Sequence, residues 1–279
     1  MKAFKIYLKK WKEAINRLLQ KPKKEYSPAT FHRLRIEIKK LNAVIDLVKF
    51  CSKDFDKKDV TKPFNLIFRQ AGKVRDLQIQ EAMLKNYFHA SFLKEYRNRL
   101  KKLRIKEQNK YFSIADKKFT VGLKKKYREI EHWLILVNEL KVSHYMENKI
   151  KQIEQLLHRD TLQPSQVHTL RKRLKSFNYT RKFLNLEKQN NPLKEMDELP
   201  KILGDWHDCQ VIIKNLEFAI NHAKMNTEEM VQFEKIMSIV SSNSEILFKE
   251  ILETVHATHF FPNQTGEINP PLPKEHYDQ

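Results

Sequence analysis

Apolar side chains recur every three to four residues along most of this chain. Phe4, Leu8, Trp11, Ile15, Leu18 and Leu19 line one side of residues 3–20, the spacing of an amphipathic helix, and Pro22 ends it. Ser27 followed by Pro28 reads as an N-cap with proline at the first helical position, predicting a helix from about 28 to 51. A third helix is expected to begin near Pro63, carrying Phe64, Ile67 and Phe68, with a bend at Gly72 before Leu77, Ile79, Met83 and Leu84 continue the period. Residues 90–140 read as a very basic helical stretch containing Leu93, Tyr96, Leu100 and Leu103, then Trp133, Leu136 and Leu140. A short helix follows over 146–159, and Pro164 with Ser165 opens another over 164–186. Pro192 and Pro200 punctuate the next segment, ahead of helices at 207–222 and about 226–256. The tail, 259–279, is rich in proline without an apolar period and is expected to be disordered.

The helical pattern repeats. FHRLRIEIKKLN (31–42) runs parallel to VHTLRKRLKSFN (167–178), pairing Leu34 with Leu170, Ile38 with Leu174, Leu41 with Phe177 and Asn42 with Asn178. A second landmark, AGKVRDLQI (71–79), aligns with LGDWHDCQV (203–211) through Gly72/Gly204, Asp76/Asp208, Gln78/Gln210 and Ile79/Val211. QLLHR (155–159) also echoes RLLQK (17–21). The expectation is an all-α chain made by internal duplication of roughly four helices, folded as two pseudo-symmetric four-helix bundles. The first half spans about 1–141 and the second about 142–258, together one domain.

Composition agrees with long helices joined by short connections, since 279 residues hold only four Gly and ten Pro. Charge changes the picture more. Lys and Arg number 54 against 34 Asp and Glu, a formal net charge of +20, so a polyanion is the partner to look for. Cys51 and Cys209 match no metal-ligand spacing and read as inert thiols of a reducing compartment. The N-terminal segment lacks the uninterrupted apolar run of a secretory signal, and no stretch approaches a membrane span. A soluble cytoplasmic protein without membrane contact is expected.

Within the repeated helix, His32, Arg35 and Lys39, and again His168, Arg171 and Lys175, sit at offsets that stack on one helix face. Like charges so placed repel by about a few tenths of a kcal/mol per pair. Building that stripe twice is sensible when something negative lies on it. The first stripe continues through Asn42 to Asp46, the second to Asn178. Lys40, Arg33, Lys172 and Arg173, and Arg75 with its counterpart His207, are further candidates to extend the cationic track. Asp76 and Asp208 are read as orienting cations of the motif helices.

Two His-x-x-Arg helices, each followed by a Gly-x-x-[Arg/His]-Asp segment, resemble the CHAD family (conserved histidine α-helical domain). FHRLRIEIKKL, VHTLRKRLKSF, GKVRDLQ and GDWHDCQ carry the resemblance, which spans about 4–256. Where the family often has arginine, this chain has Lys39, Lys40 and Asn42. The resemblance implies two four-helix bundles facing each other across a basic channel that binds inorganic polyphosphate. Family members accompany polyphosphate granules or are fused to triphosphate-tunnel enzymes; the chain has no β-rich segment left for such an enzyme. On this reading His32, Arg35, Lys39, Lys40, Arg75, His168, Arg171, Lys172, Lys175 and His207 bind polyphosphate. Arg offers bidentate charge-assisted bonds, Lys a point charge, and His a donor that charges near its ordinary pKa of about 6.5.

Competing chemistry is weaker. Nucleic acid is the alternative partner for so basic a chain, but no helix-turn-helix, RNA-recognition motif or zinc finger is visible, and aromatics do not interleave with the stripe. Glu-x-x-His occurs at Glu129/His132 and Glu253/His256, a di-iron spacing whose two further glutamates cannot be placed. No nucleophile motif or Gly-rich phosphate loop occurs. A non-enzymatic binder with no cofactor and no metal is therefore expected, with polyphosphate granules as a place of association.

Overall fold

The computed structural model describes residues 2–87, 93–159, 161–184, 198–222 and 227–258. Among these the regular structure is helical throughout: α1 (Lys2–Leu19), α2 (Pro28–Cys51), α3 (Lys57–Tyr87), α4 (Lys94–Ile114), α5 (Lys117–Trp133), α6 (Glu139–Leu157), α7 (Pro164–Phe183), α8 (Leu199–His222) and α9 (Thr227–Thr258), with 3-10 turns at Lys23–Glu25 and Leu134–Leu136.

The two motif-bearing helices begin in the same way. Pro28 and Pro164 occupy the first turn, where a missing N–H costs nothing. The cap residue's backbone N–H then donates to a side chain three residues on, Ser27 to Thr30 Oγ1 at 3.2 Å and Gln163 to Gln166 Oε1 at 2.8 Å.

Four boundaries depart from the pattern-based expectation. α3 starts at Lys57 rather than near Pro63, because the Asp56 carboxylate accepts the Asp59 N–H at 3.0 Å and nucleates the helix earlier. Pro63 is carried inside, held by burial of Val60, Phe64 and Ile67 around it. The same helix continues through Gly72. The basic stretch divides at Asp116, whose side chain accepts the Phe119 N–H at 2.6 Å and starts α5. α6 begins at Glu139, capped by Asn138 accepting from Lys141 at 2.9 Å, and α8 begins at Leu199, with Pro200 in its first turn. The expectations for 88–92, 185–197 (with Pro192) and the tail 259–279 fall outside the described residues.

Successive helices pack in order, α1 on α2, α2 on α3 and α3 on α4, and then α6 on α7, α7 on α8 and α8 on α9. α5 folds back on α1, α2 and α3. α2 lies directly on α7, and α3 touches α8. One apolar core runs through both sides of this contact, from Leu8 and Ile15 through Phe31, Ile38 and Tyr111 to Leu170, Phe177, Trp206 and Ile251. Phe183 near the end of α7 stacks on Phe4 at 5.0 Å and sits 5.4 Å from Trp11, so α1 grips the second half. A smaller cluster gathers the far ends of α3 and α8 with the starts of α4 and α9, including Tyr96 edge-on to Phe233 at 4.9 Å. No described helix is long and apolar enough to cross a membrane.

Candidate functional site

Burial fixes the roll of the motif helices. Phe31, Leu34, Ile38 and Leu41 on α2, and Val167, Leu170, Leu174 and Phe177 on α7, are at most 2% exposed. The His-Arg-Lys stripes lie roughly 100° around each helix from these residues, at the border between core and solvent. That is why Arg35, Lys39, His168, Arg171 and Lys175 are half-buried while His32 and Lys172 are exposed.

Because α2 packs on α7, the stripes converge. Lys39 lies within electrostatic reach of Arg171, Lys175 and Asp208 from the second half, and His32 within reach of Lys175. Burial, then Arg35, Lys175 and Arg171, push the Lys39 ammonium down to about 8, with Asp208 opposing. Lys175 is also lowered, by burial and Arg171. His207 is pushed down to about 4 by burial and then by Arg171, His168, Lys175 and Lys39. Its ring centroid is 5.1 Å from that of His168. His168 and His32 are held below the ordinary imidazole value by burial and neighbouring cations, Lys172 and Arg171 for the former, Arg75 and Lys39 foremost for the latter. The free site is thus a self-repelling cluster of cations with its imidazoles neutral at pH 7.

Arg75 belongs to this cluster, acting on both His32 and Arg35. Its Nε, the Arg171 Nε and the Asn42 Oδ1 are buried without a hydrogen-bond partner. Asp76 biases Arg35, and Asp208 biases Arg171 and Lys175, so each aspartate acts on the motif helix of its own half, and Asp208 also reaches Lys39 across the contact. Partial burial raises the Asp76 carboxyl, with Arg35 and Arg75 opposing. Other candidates are committed elsewhere: Lys40 pairs with Glu37 at 2.9 Å, Asp46 with Lys57 at 2.7 Å, and Arg173 donates to the Gln152 carbonyl of α6.

The two arms differ in how the arginine is held. Arg35 lies over the Phe68 ring, 4.2 Å from guanidinium carbon to centroid, and its Nη1 donates to the Phe68 carbonyl at 3.0 Å. Lys39 Nζ is 5.9 Å from the same ring. A Cβ at Gly72 would run into the Arg35 guanidinium, whereas one at Gly204 would meet nothing within 4 Å. Tyr179 adds a link between the halves, its phenol raised by burial and by Glu37 and lowered by Arg171. Motif reasoning missed Phe68 and Tyr179 because the repeat places Pro200 and Ala43 at the matching positions.

The chemistry on offer is charge and hydrogen-bond donation. Among the described residues no group of three His, Cys, Asp or Glu gathers to hold a metal, and Glu129 accepts from Lys126 at 3.1 Å. Cys51 and Cys209 are free thiols raised by burial, the less reactive direction for a nucleophile.

A family model described as the CHAD domain matches residues 2–217. Among solved structures the chain is similar to the crystal structure of the CHAD domain from the plant Ricinus communis, at 14% identity and a TM-score of 0.72, over 92% of this chain and 91% of that one. No curated protein matches.

Proposed function

The chain belongs to the CHAD domain family, and from that premise we propose that it is a non-enzymatic binder of inorganic polyphosphate. One observation carries the reading: the His32–Arg35–Lys39 and His168–Arg171–Lys175 stripes meet where α2 packs on α7, leaving half-buried cations coupled across the contact. Cations that depress one another's pKa are arranged for a counter-charge larger than the two aspartates supply. In this reading the halves are duplicated four-helix units that share a core, the first with α5 added to it, and the channel is the basic groove between their motif helices.

Polyphosphate fits the residue choice. It is a flexible string of tetrahedral anions with no base edges, so recognition rests on charge density and on many N–H donors at once. Arg35, Arg75 and Arg171 supply forks, Lys39, Lys172 and Lys175 point charges, and His32, His168 and His207 donors that charge as the anion arrives. Lys40 contributes less while Glu37 answers its charge. A long chain engages several of these groups simultaneously, so affinity grows with length through effective concentration and counterion release. Cytoplasmic polyphosphate, free or in granules, is the partner this assigns.

The test is a titration with labelled long-chain polyphosphate at moderate salt. Unlabelled polyphosphate should compete far better than DNA or RNA of equal charge. Replacing Arg35 and Arg171 together by Ala should weaken binding at least about tenfold, the loss expected for two charge-assisted contacts, with the melting temperature unchanged. Wild-type affinity in that double variant would falsify the site; equal competition by nucleic acid would move the function to the alternative partner.

A further inference from the structure

The two arms carry matching motifs but different supports, and the difference is concentrated at one ring and one glycine. We propose that Phe68 and Gly72 are positioning residues that lock Arg35 as a preformed anchor, while Arg171, lacking both supports, is an adjustable arm. The inference rests on the polyphosphate reading and assigns distinct parts to the two halves of that site.

Gly72 is not needed for backbone conformation, since no described glycine has positive φ. It is needed for space. In an α-helix the Phe68 carbonyl accepts the Gly72 N–H, and its second lone pair is free for another donor. Arg35 reaches that carbonyl across the side of α3 where residue 72 has no Cβ, with its guanidinium lying on the Phe68 ring. The same ring faces Lys39, so one π surface steadies two cations that would otherwise push apart. In the second arm Pro200 replaces the ring, the space beside Gly204 is empty, and the buried Arg171 Nε has no partner. The anchor needs no ordering when an anion arrives, whereas the adjustable arm can follow a polymer whose phosphates differ in torsion.

Paired alanine variants test this. Alanine at either glycine favours the helix, and at residue 72 the group in its way is the movable end of a side chain, so neither Gly72→Ala nor Gly204→Ala should lower the melting temperature. Gly72→Ala should nevertheless weaken long-chain polyphosphate binding by roughly three- to tenfold through displaced Arg35, while Gly204→Ala binds as wild type. Equal affinities in the two variants would overturn the proposal. If Gly72→Ala fails to fold, Phe68→Leu decides: weakened binding supports the anchor and wild-type binding overturns it. The Arg35→Ala/Arg171→Ala double variant, titrated alongside, separates the failures. Its loss of binding beside an unaffected Gly72→Ala sinks only the positioning claim, and its wild-type affinity sinks the site itself.

Discussion

Lys39 shows what the convergence costs a single residue. Its folded-state pKa of about 8 lies below the usual lysine value, so the unfolded chain binds the proton more tightly. Folding stability should therefore rise with pH between about 8 and 10.4. Below pH 8 the charged ammonium disfavours the fold by about 1–3 kcal/mol after allowing for its partial exposure. Lys39→Met should raise the melting temperature by about 2–6 °C at pH 7 and weaken polyphosphate binding, a pairing of effects opposite to that of a structural ion pair; calorimetry and titration of one preparation check both. The histidines follow the same logic. His207, pushed down to about 4, supports the fold fully above about pH 6.5, and that support is lost as pH falls toward 4. A bound polyanion raises imidazole pKa values, so affinity should strengthen from pH 8 to 6 and the acid-side fall in melting temperature should shrink with ligand present. Flat affinity across that range would contradict the imidazoles' part. These residues were legible because they recur; Phe68 and Tyr179 were not, since Pro200 and Ala43 break the repeat at those positions.

At the scale of elements, α2 was readable almost to the residue because a proline start and an uninterrupted apolar stripe agree along its length. α3 was misread where local chemistry and packing pull apart: Pro63 looks like a beginning, yet Asp56 caps the helix earlier and a buried flank carries the proline through. α5 was hidden inside one basic stretch, since lysine favours helix on both sides of Asp116 and only the cap marks the break. The stripes stand where they do because the buried faces behind them set the rotation of each helix. Leu34→Ala and Leu170→Ala, both at fully buried positions, should each lower stability by about 2–5 kcal/mol, measured by urea unfolding. A cost under about 1 kcal/mol in either would mean that the buried faces of α2 and α7 are not what orients the cations.

For the whole molecule the repeat foretold an all-helical chain. It did not foretell a core continuous between the halves, because side-chain periodicity marks which face is buried and not what buries it. With Phe31, Ile38, Leu170 and Phe177 in one cluster, scanning calorimetry should record a single cooperative transition; two resolved transitions would mean independent halves. The grip of Phe183 on Phe4 and Trp11 has a consequence for synthesis. α1 leaves the ribosome with an apolar flank whose partner on α7 is translated only after all of α2 through α6. Until then the nascent chain carries that flank uncovered, so a chaperone that shields it early should raise the yield of native protein more than one supplied after release.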